Sequence, residues 1–133
     1  MLETIQCTTI LPVEVEQLYH AWLDSAAHSG FTGSPAQIDP RVGGRFSAWD
    51  GYIEGTTLEL EPYRRILQSW RTSEFPEGST DSRLEILLED AGAGQTRIAL
   101  LHSEIPVGQG QSYLQGWEEF YFQPMQEYFA NPG

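Results

Sequence analysis

Residues 43–71 read GGRFSAWDGYIEGTTLELEPYRRILQSWR. Glycine pairs, an Asp-Gly and a proline divide this stretch into three runs rich in β-branched and aromatic residues. Gly43-Gly44 marks a turn, and Arg45 to Trp49 follows as a strand. Asp50-Gly51 predicts a two-residue hairpin, because both positions tolerate positive φ. Tyr52 to Glu61 is the partner strand, Pro62 breaks it, and Arg64 to Thr72 is the third strand. Strands joined by turns this short pair antiparallel, since a parallel pair needs a crossover of about a dozen residues.

Working outward, Leu2 to Leu11 reads as a first strand, and Pro12 suits the first turn of a helix. Val13, Leu18, Ala21 and Trp22, with Val15, form its apolar side through about Leu23; Glu14, Glu16 and Gln17 face the other way. Asp24 or Ser25 caps a second short helix that ends near Gly30 to Gly33, and Ser34 to Asp39 is extended. Beyond the polar loop Ser73 to Ser82, Arg83 to Asp90 alternates, with Leu84, Ile86 and Leu88 on one face. Ala91 to Gly94 is a turn, and Gln95 to Glu104 is the last strand, with Ile98, Leu100 and His102 on one side. After a linker from Pro106, a long helix runs from about Gly110 to Phe129. Ser112 and Gln115 match a capping box, the alternative being a helix that begins a turn earlier. Its stripe is Leu114, Trp117, Tyr121, Met125 and Tyr128, widened by Phe120 and Phe129, and Pro124 kinks it or starts a new turn. The element order is strand, two helices, about six strands, long helix. It predicts one α+β domain over residues 1–133: a curved antiparallel sheet of six to seven strands wrapped on the C-terminal helix, with a cavity between them.

Nineteen acids oppose seven bases, for a net charge of −12. There is no lysine, and the arginines all lie between Arg41 and Arg97. Such a field repels phosphate backbones and anionic headgroups, so neither nucleic acid nor a membrane surface is an expected partner. No run approaches the roughly 18 apolar residues of a membrane helix. The N-terminus, MLETIQCTTILP, reads as strand rather than signal peptide. The single cysteine, Cys7, forms no intrachain disulfide; it suits a cytoplasmic setting and reads as a packing residue, not a nucleophile. Phosphate loops, dinucleotide fingerprints and metal-ligand spacings do not occur, so no cofactor or metal is expected.

The 43–71 run, taken with Gly94-Gln95-Thr96-Arg97, His102-Ser103-Glu104-Ile105-Pro106 and Gly116-Trp117-Glu118-Glu119-Phe120-Tyr121, resembles the homologues of the activator of heat-shock protein 90 ATPase. These are START-like (SRPBCC) proteins with a helix-grip fold. The resemblance extends over nearly the whole chain. It implies a curved sheet gripping a long C-terminal helix, a pocket between the two, and a chaperone ATPase as a candidate partner. In the eukaryotic co-chaperone such a domain follows a separate N-terminal domain; a length of 133 residues is expected to hold the one without the other.

The pocket candidates are Trp22, Phe31, Phe46, Tyr52, Glu54, Trp70, His102, Tyr113, Trp117 and Tyr121. Trp70 shares parity with Ile66 and Gln68, as a cavity wall or as plain core, with core packing favoured. His102 is a ligand contact or general base if a substrate sits above it, and otherwise a satisfied structural histidine; no carboxylate partner stands at a readable spacing. Straight parity with Leu58 and Leu60 turns Glu54 inward. A bulge at Gly55 turns it to solvent, and the cost of burying an unpaired carboxylate favours the bulge. Arg64-Arg65 either meets an acidic partner or balances Glu59 and Glu61. No residue set reads as catalytic. Three functions follow: binding of an apolar or amphipathic small molecule, co-chaperone-like regulation of a chaperone ATPase, and a cyclase- or dehydratase-like activity in the same pocket.

Overall fold

Seven strands form one antiparallel sheet in the spatial order β1-β7-β6-β5-β4-β3-β2 in the computed structural model, which describes residues 2–130. The strands are β1 (Glu3–Leu11), β2 (Gln37–Ile38), β3 (Arg45–Ala48), β4 (Ile53–Glu61), β5 (Arg65–Thr72), β6 (Ser82–Gly92) and β7 (Gln95–Ile105). Two short helices, α1 (Val15–Leu23) and α2 (Ser25–Thr32), follow β1. The C-terminal helix has three parts: α3 (Gly110–Gly116), a π-helical segment (Trp117–Phe122) and α4 (Gln123–Ala130). Among the described residues no helix is long and apolar enough to cross a membrane.

Period-two alternation sets the inner face of the sheet. Leu84, Ile86 and Leu88 of β6 stand opposite His102, Leu100 and Ile98 of β7, and all six are buried. Trp117, Tyr121, Met125 and Phe129 of the C-terminal helix cover that face, four residues apart. This is the helix-grip arrangement that the resemblance implies. The α1–α2 junction is set as expected: Asp24 accepts the Ala27 amide at 2.8 Å, and Gly33 ends α2 at φ 76°.

Three local expectations are corrected. The first concerns the bulge. The β4–β5 register shifts between Thr57 and Glu59, so the extra residue is Leu58, not Gly55. Ile53, Gly55 and Thr57 point inward and Glu54 outward, where it pairs with Arg45 at 3.8 Å. Gly55 is required for a different reason: a Cβ there would stand 1.9 Å from the Ser69 carbonyl oxygen and 2.8 Å from the Phe46 ring.

The second concerns the hairpin. Trp49, Asp50 and Gly51 all have positive φ, at 54°, 56° and 89°. β3 therefore ends at Ala48 and β4 starts at Ile53, so Trp49 and Tyr52 belong to the turn rather than to strands. A left-handed tryptophan is strained, and Trp49 sits at the mouth of the cavity described below.

The third concerns the long helix. Ser112 does not cap it. The Gly108 and Gly110 amides donate to the Glu3 carboxylate, at 3.0 and 2.8 Å, so the cap comes from β1, more than a hundred residues away in sequence. Those bonds hold the Glu3 carboxyl below its ordinary pKa. Pro124 lacks an N–H, and its ring would press on the carbonyl four residues back. The helix answers by widening into the π segment just before it. Widening shifts the stripe: Phe129 is buried as expected and Phe122 joins it, whereas Phe120 and Tyr128 are exposed.

Candidate functional site

A cavity of about 620 Å³ opens between the C-terminal helix, the β3–β4 turn and the far end of β5. Seven of its thirteen lining residues are aromatic. Trp70, Trp117 and Tyr121 form its inner wall and are 3–4% exposed. At the mouth, Trp49 meets Phe120 edge-on at 5.8 Å, bridging the β3–β4 turn to the helix. Tyr52, Glu74, Gln109 and Ser112 also line the cavity at its rim, Gln109 half-buried and the others exposed.

The rim is tied by a closed ring of hydrogen bonds. The Glu74 amide donates to the Thr72 hydroxyl at 3.1 Å. The Tyr113 hydroxyl gives its only proton to Gln109 Oε1 at 2.7 Å, so Thr72 is the donor in the 2.7 Å bond between Thr72 and Tyr113. The Gln109 side-chain N–H returns to the Glu74 carbonyl at 3.0 Å. The Tyr52 hydroxyl donates to the Glu74 carboxylate. With burial, that bond pushes the Tyr52 phenol up to about 12. The ring clamps the β5–β6 loop to the start of the helix and sets one carboxylate at the cavity's edge.

Behind the inner wall are two histidines that the surrounding donors and acceptors hold in single tautomers. The Ser82 hydroxyl donates to the Trp70 carbonyl at 2.7 Å, so it must accept from His102 Nε2–H at 2.8 Å. His102 Nδ1 is then free to accept the Trp117 indole N–H at 3.2 Å. His28 Nδ1–H donates to the Trp22 carbonyl at 2.9 Å, and its Nε2 accepts the Tyr121 hydroxyl at 2.8 Å. Desolvation pushes His102 down to about 3 and His28 down to about 4, so both are neutral near pH 7. These bonds fix the indole of Trp117 and the phenol of Tyr121, hence the shape of the inner wall.

Of the ten pocket candidates, Tyr52, Trp70, Tyr113, Trp117 and Tyr121 line the cavity. Trp70 is both alternatives at once, buried at 3% and forming wall. Trp22 and Phe46 lie behind the wall, around a void of about 10 Å³ that is too small for a ligand. Phe31 is core, packed on His28 at 4.7 Å. His102 is fully buried behind Trp70, edge-on at 4.5 Å. Glu54 is on the outer face. Arg65 is ion-paired with Glu59, Glu61 and Glu85, which is the balancing role. Burial, with a smaller effect from Glu118, pushes the Cys7 thiol up to about 11, which fits a packing residue. Among the described residues no group of three His, Cys, Asp or Glu side chains is disposed to hold a metal ion.

The other eight lining residues, among them Trp49, Glu74, Gln109 and Phe120, were not among the sequence candidates. Trp49 carried a signal, a large aromatic beside an Asp-Gly turn. Glu74 carried none; it sits in a polar loop, and only the Gln109–Tyr113 ring brings it to the mouth.

A family model described as Activator of Hsp90 ATPase homolog 1-like protein matches residues 12–130. The chain is 28% identical over 115 residues to the human Activator of 90 kDa heat shock protein ATPase homolog 1, covering 86% of this chain and 33% of the human protein. It thus spans about a third of the length of the curated relatives it matches. Among solved structures, an HSP90 activator from Plasmodium falciparum superposes with a TM-score of 0.88 at 23% identity, covering 96% of each chain. CalU16 from Micromonospora echinospora superposes with a TM-score of 0.77 at 25% identity, covering 98% of this chain and 78% of that one.

Proposed function

The chain belongs to the Activator of Hsp90 ATPase homolog 1-like family, and from that premise we propose that it is a binding module enclosing an apolar or amphipathic small molecule between sheet and helix. The observation that carries this reading is the aromatic cavity of about 620 Å³, a volume in the range of small-molecule sites. A ligand burying on the order of 200 Å² of apolar surface there would gain ~5 kcal/mol before the costs of association. Turnover has less support. Glu54 faces solvent, and His102 is spent on Ser82 and Trp117, so the acid and base candidates of a cyclase-like reading stay out of the cavity.

Native mass spectrometry of gently extracted protein, followed by tryptophan-fluorescence titration with an apolar ligand panel, tests the proposal. Trp70 and Trp117 wall the cavity, so occupancy should perturb their emission. An empty protein that responds to no member of the panel would reject it.

A second reading, regulation of a chaperone ATPase, is favoured by the curated relatives, which include proteins named as activators of that ATPase. It predicts a complex with an Hsp90-type ATPase and a changed hydrolysis rate. Pull-down and ATPase assays with neither effect would remove it.

A further inference from the structure

Resting on that binding role, we propose that the cavity selects cationic amphiphiles: an ammonium head seated at Glu74 on an aromatic or apolar body that fills the space against Trp70. Among the described residues, Glu74 is the only acidic or basic side chain lining the cavity. No arginine lines it, and the chain has no lysine. Glu74 is exposed at the rim, and hydrogen bonds hold its carboxylate in place. Its residue's amide and carbonyl are both bonded into the rim ring, and Tyr52 donates to Oε2. Among the described residues no donor is bonded to Oε1.

The cavity that this carboxylate edges is rich in aromatic rings. Trp49, Tyr52, Trp70 and Phe120 line the same space. Aromatic faces carry negative potential and attract ammonium groups, most strongly where water is partly excluded. A carboxylate at the edge of a cavity lined by several such rings is the chemistry that recognises an amine. An anionic head would have to lose its hydration next to Glu74 in a protein of net charge −12, which disfavours it at every distance. A neutral head would gain burial alone.

The test is calorimetric titration of the full chain at about 0.15 M salt, where long-range fields are largely screened. Three probes of matched shape differ only in the head: 4-phenylbutylamine, 4-phenylbutan-1-ol and 4-phenylbutyrate. The amine is expected to bind at least about fivefold more tightly than the alcohol, with the acid weakest. Glu74→Gln should bring the amine to within about twofold of the alcohol. The alcohol should still bind the variant measurably, and an unchanged thermal melt reports that the variant is folded. Glu89→Gln, an exposed acid on β6 away from the cavity, should alter neither. Equal binding of amine and alcohol, or an amine preference that survives Glu74→Gln, overturns the charge selection and leaves the cavity role standing. If none of the three probes binds, the charge selection falls, and the cavity role is left to the native mass spectrometry and the wider ligand panel.

Discussion

The Tyr121 hydroxyl donates to His28 Nε2 across 2.8 Å, locking a neutral imidazole into the aromatic core. With His102 it makes the core sensitive to acid. Burial lowers both folded-state pKa values, to about 4 for His28 and about 3 for His102, against an ordinary value of 6.5. The unfolded chain therefore binds more protons below pH 6.5. Stability is fully present above that pH and is lost as pH falls toward the folded values, with a slope approaching ~1.4 kcal/mol per pH unit for each histidine. Glu3, Asp39 and Glu59 also have lowered values, but their contribution is lost only at lower pH, as the solution nears the ordinary carboxylate range and passes below it. Urea midpoints should fall between pH 7 and pH 5; a flat profile would contradict the buried neutral pair.

Gly55→Ala should destabilise the protein by about 3 kcal/mol or more. The clash is with the Ser69 backbone carbonyl in the neighbouring strand, which cannot rotate away as a side chain can. Chemical denaturation measures this, and a loss below about 1 kcal/mol would show that β4 and β5 separate easily at this point.

Gly116 lines the cavity with helical backbone, φ −62° and ψ −40°, and a Cβ there would meet nothing closer than Phe120 at 3.8 Å. Gly116→Ala should stabilise by ~0.5–1 kcal/mol through helix propensity. Gly116→Phe should fold, fill the mouth and abolish uptake of any ligand that wild type accepts. Thermal melts and ligand titration check the two halves; uptake unaffected by Gly116→Phe would place binding elsewhere.

Ser82→Ala removes the acceptor of His102 Nε2–H and the donor to the Trp70 carbonyl. Leaving these buried groups unpaired should cost ~1–3 kcal/mol. The emission of Trp70 and Trp117 should shift, because both rings pack on His102. An unchanged spectrum with full stability would mean that the relay does not hold the inner wall.

The order of elements was legible in the sequence because local rules govern it. Alternating apolar residues marked β6 and β7, Asp24 and Gly33 bracketed α2, and Pro124 announced a break in the long helix. Glu54 was correctly turned outward, yet for a displaced reason: parity shows that one extra residue is needed, not which residue supplies it. Only the pairing of Thr57 with Gln68 and of Glu59 with Leu67 locates it at Leu58. Pro124 likewise foretold a disturbance without its form. The π widening put Phe122 on the buried face and left Phe120 and Tyr128 exposed, while Phe129 kept its expected place.

Residues 43–71 were enough to settle antiparallel strands and their turns, since Gly, Asp-Gly and Pro act on the backbone within a few residues. The wider pattern of apolar residues settled an α+β sheet-and-helix architecture, and the acid excess set a net charge of −12. The tertiary structure alone decided which aromatics face open space and which fill the core. Trp22, Phe31, Trp70 and Trp117 look alike along the chain, and only the distance between sheet and helix separates wall from packing. It alone also brought Glu3 to the helix start and Glu74 to the cavity mouth, because contacts between residues 35 to 107 positions apart obey the geometry of the folded chain and leave no periodic trace.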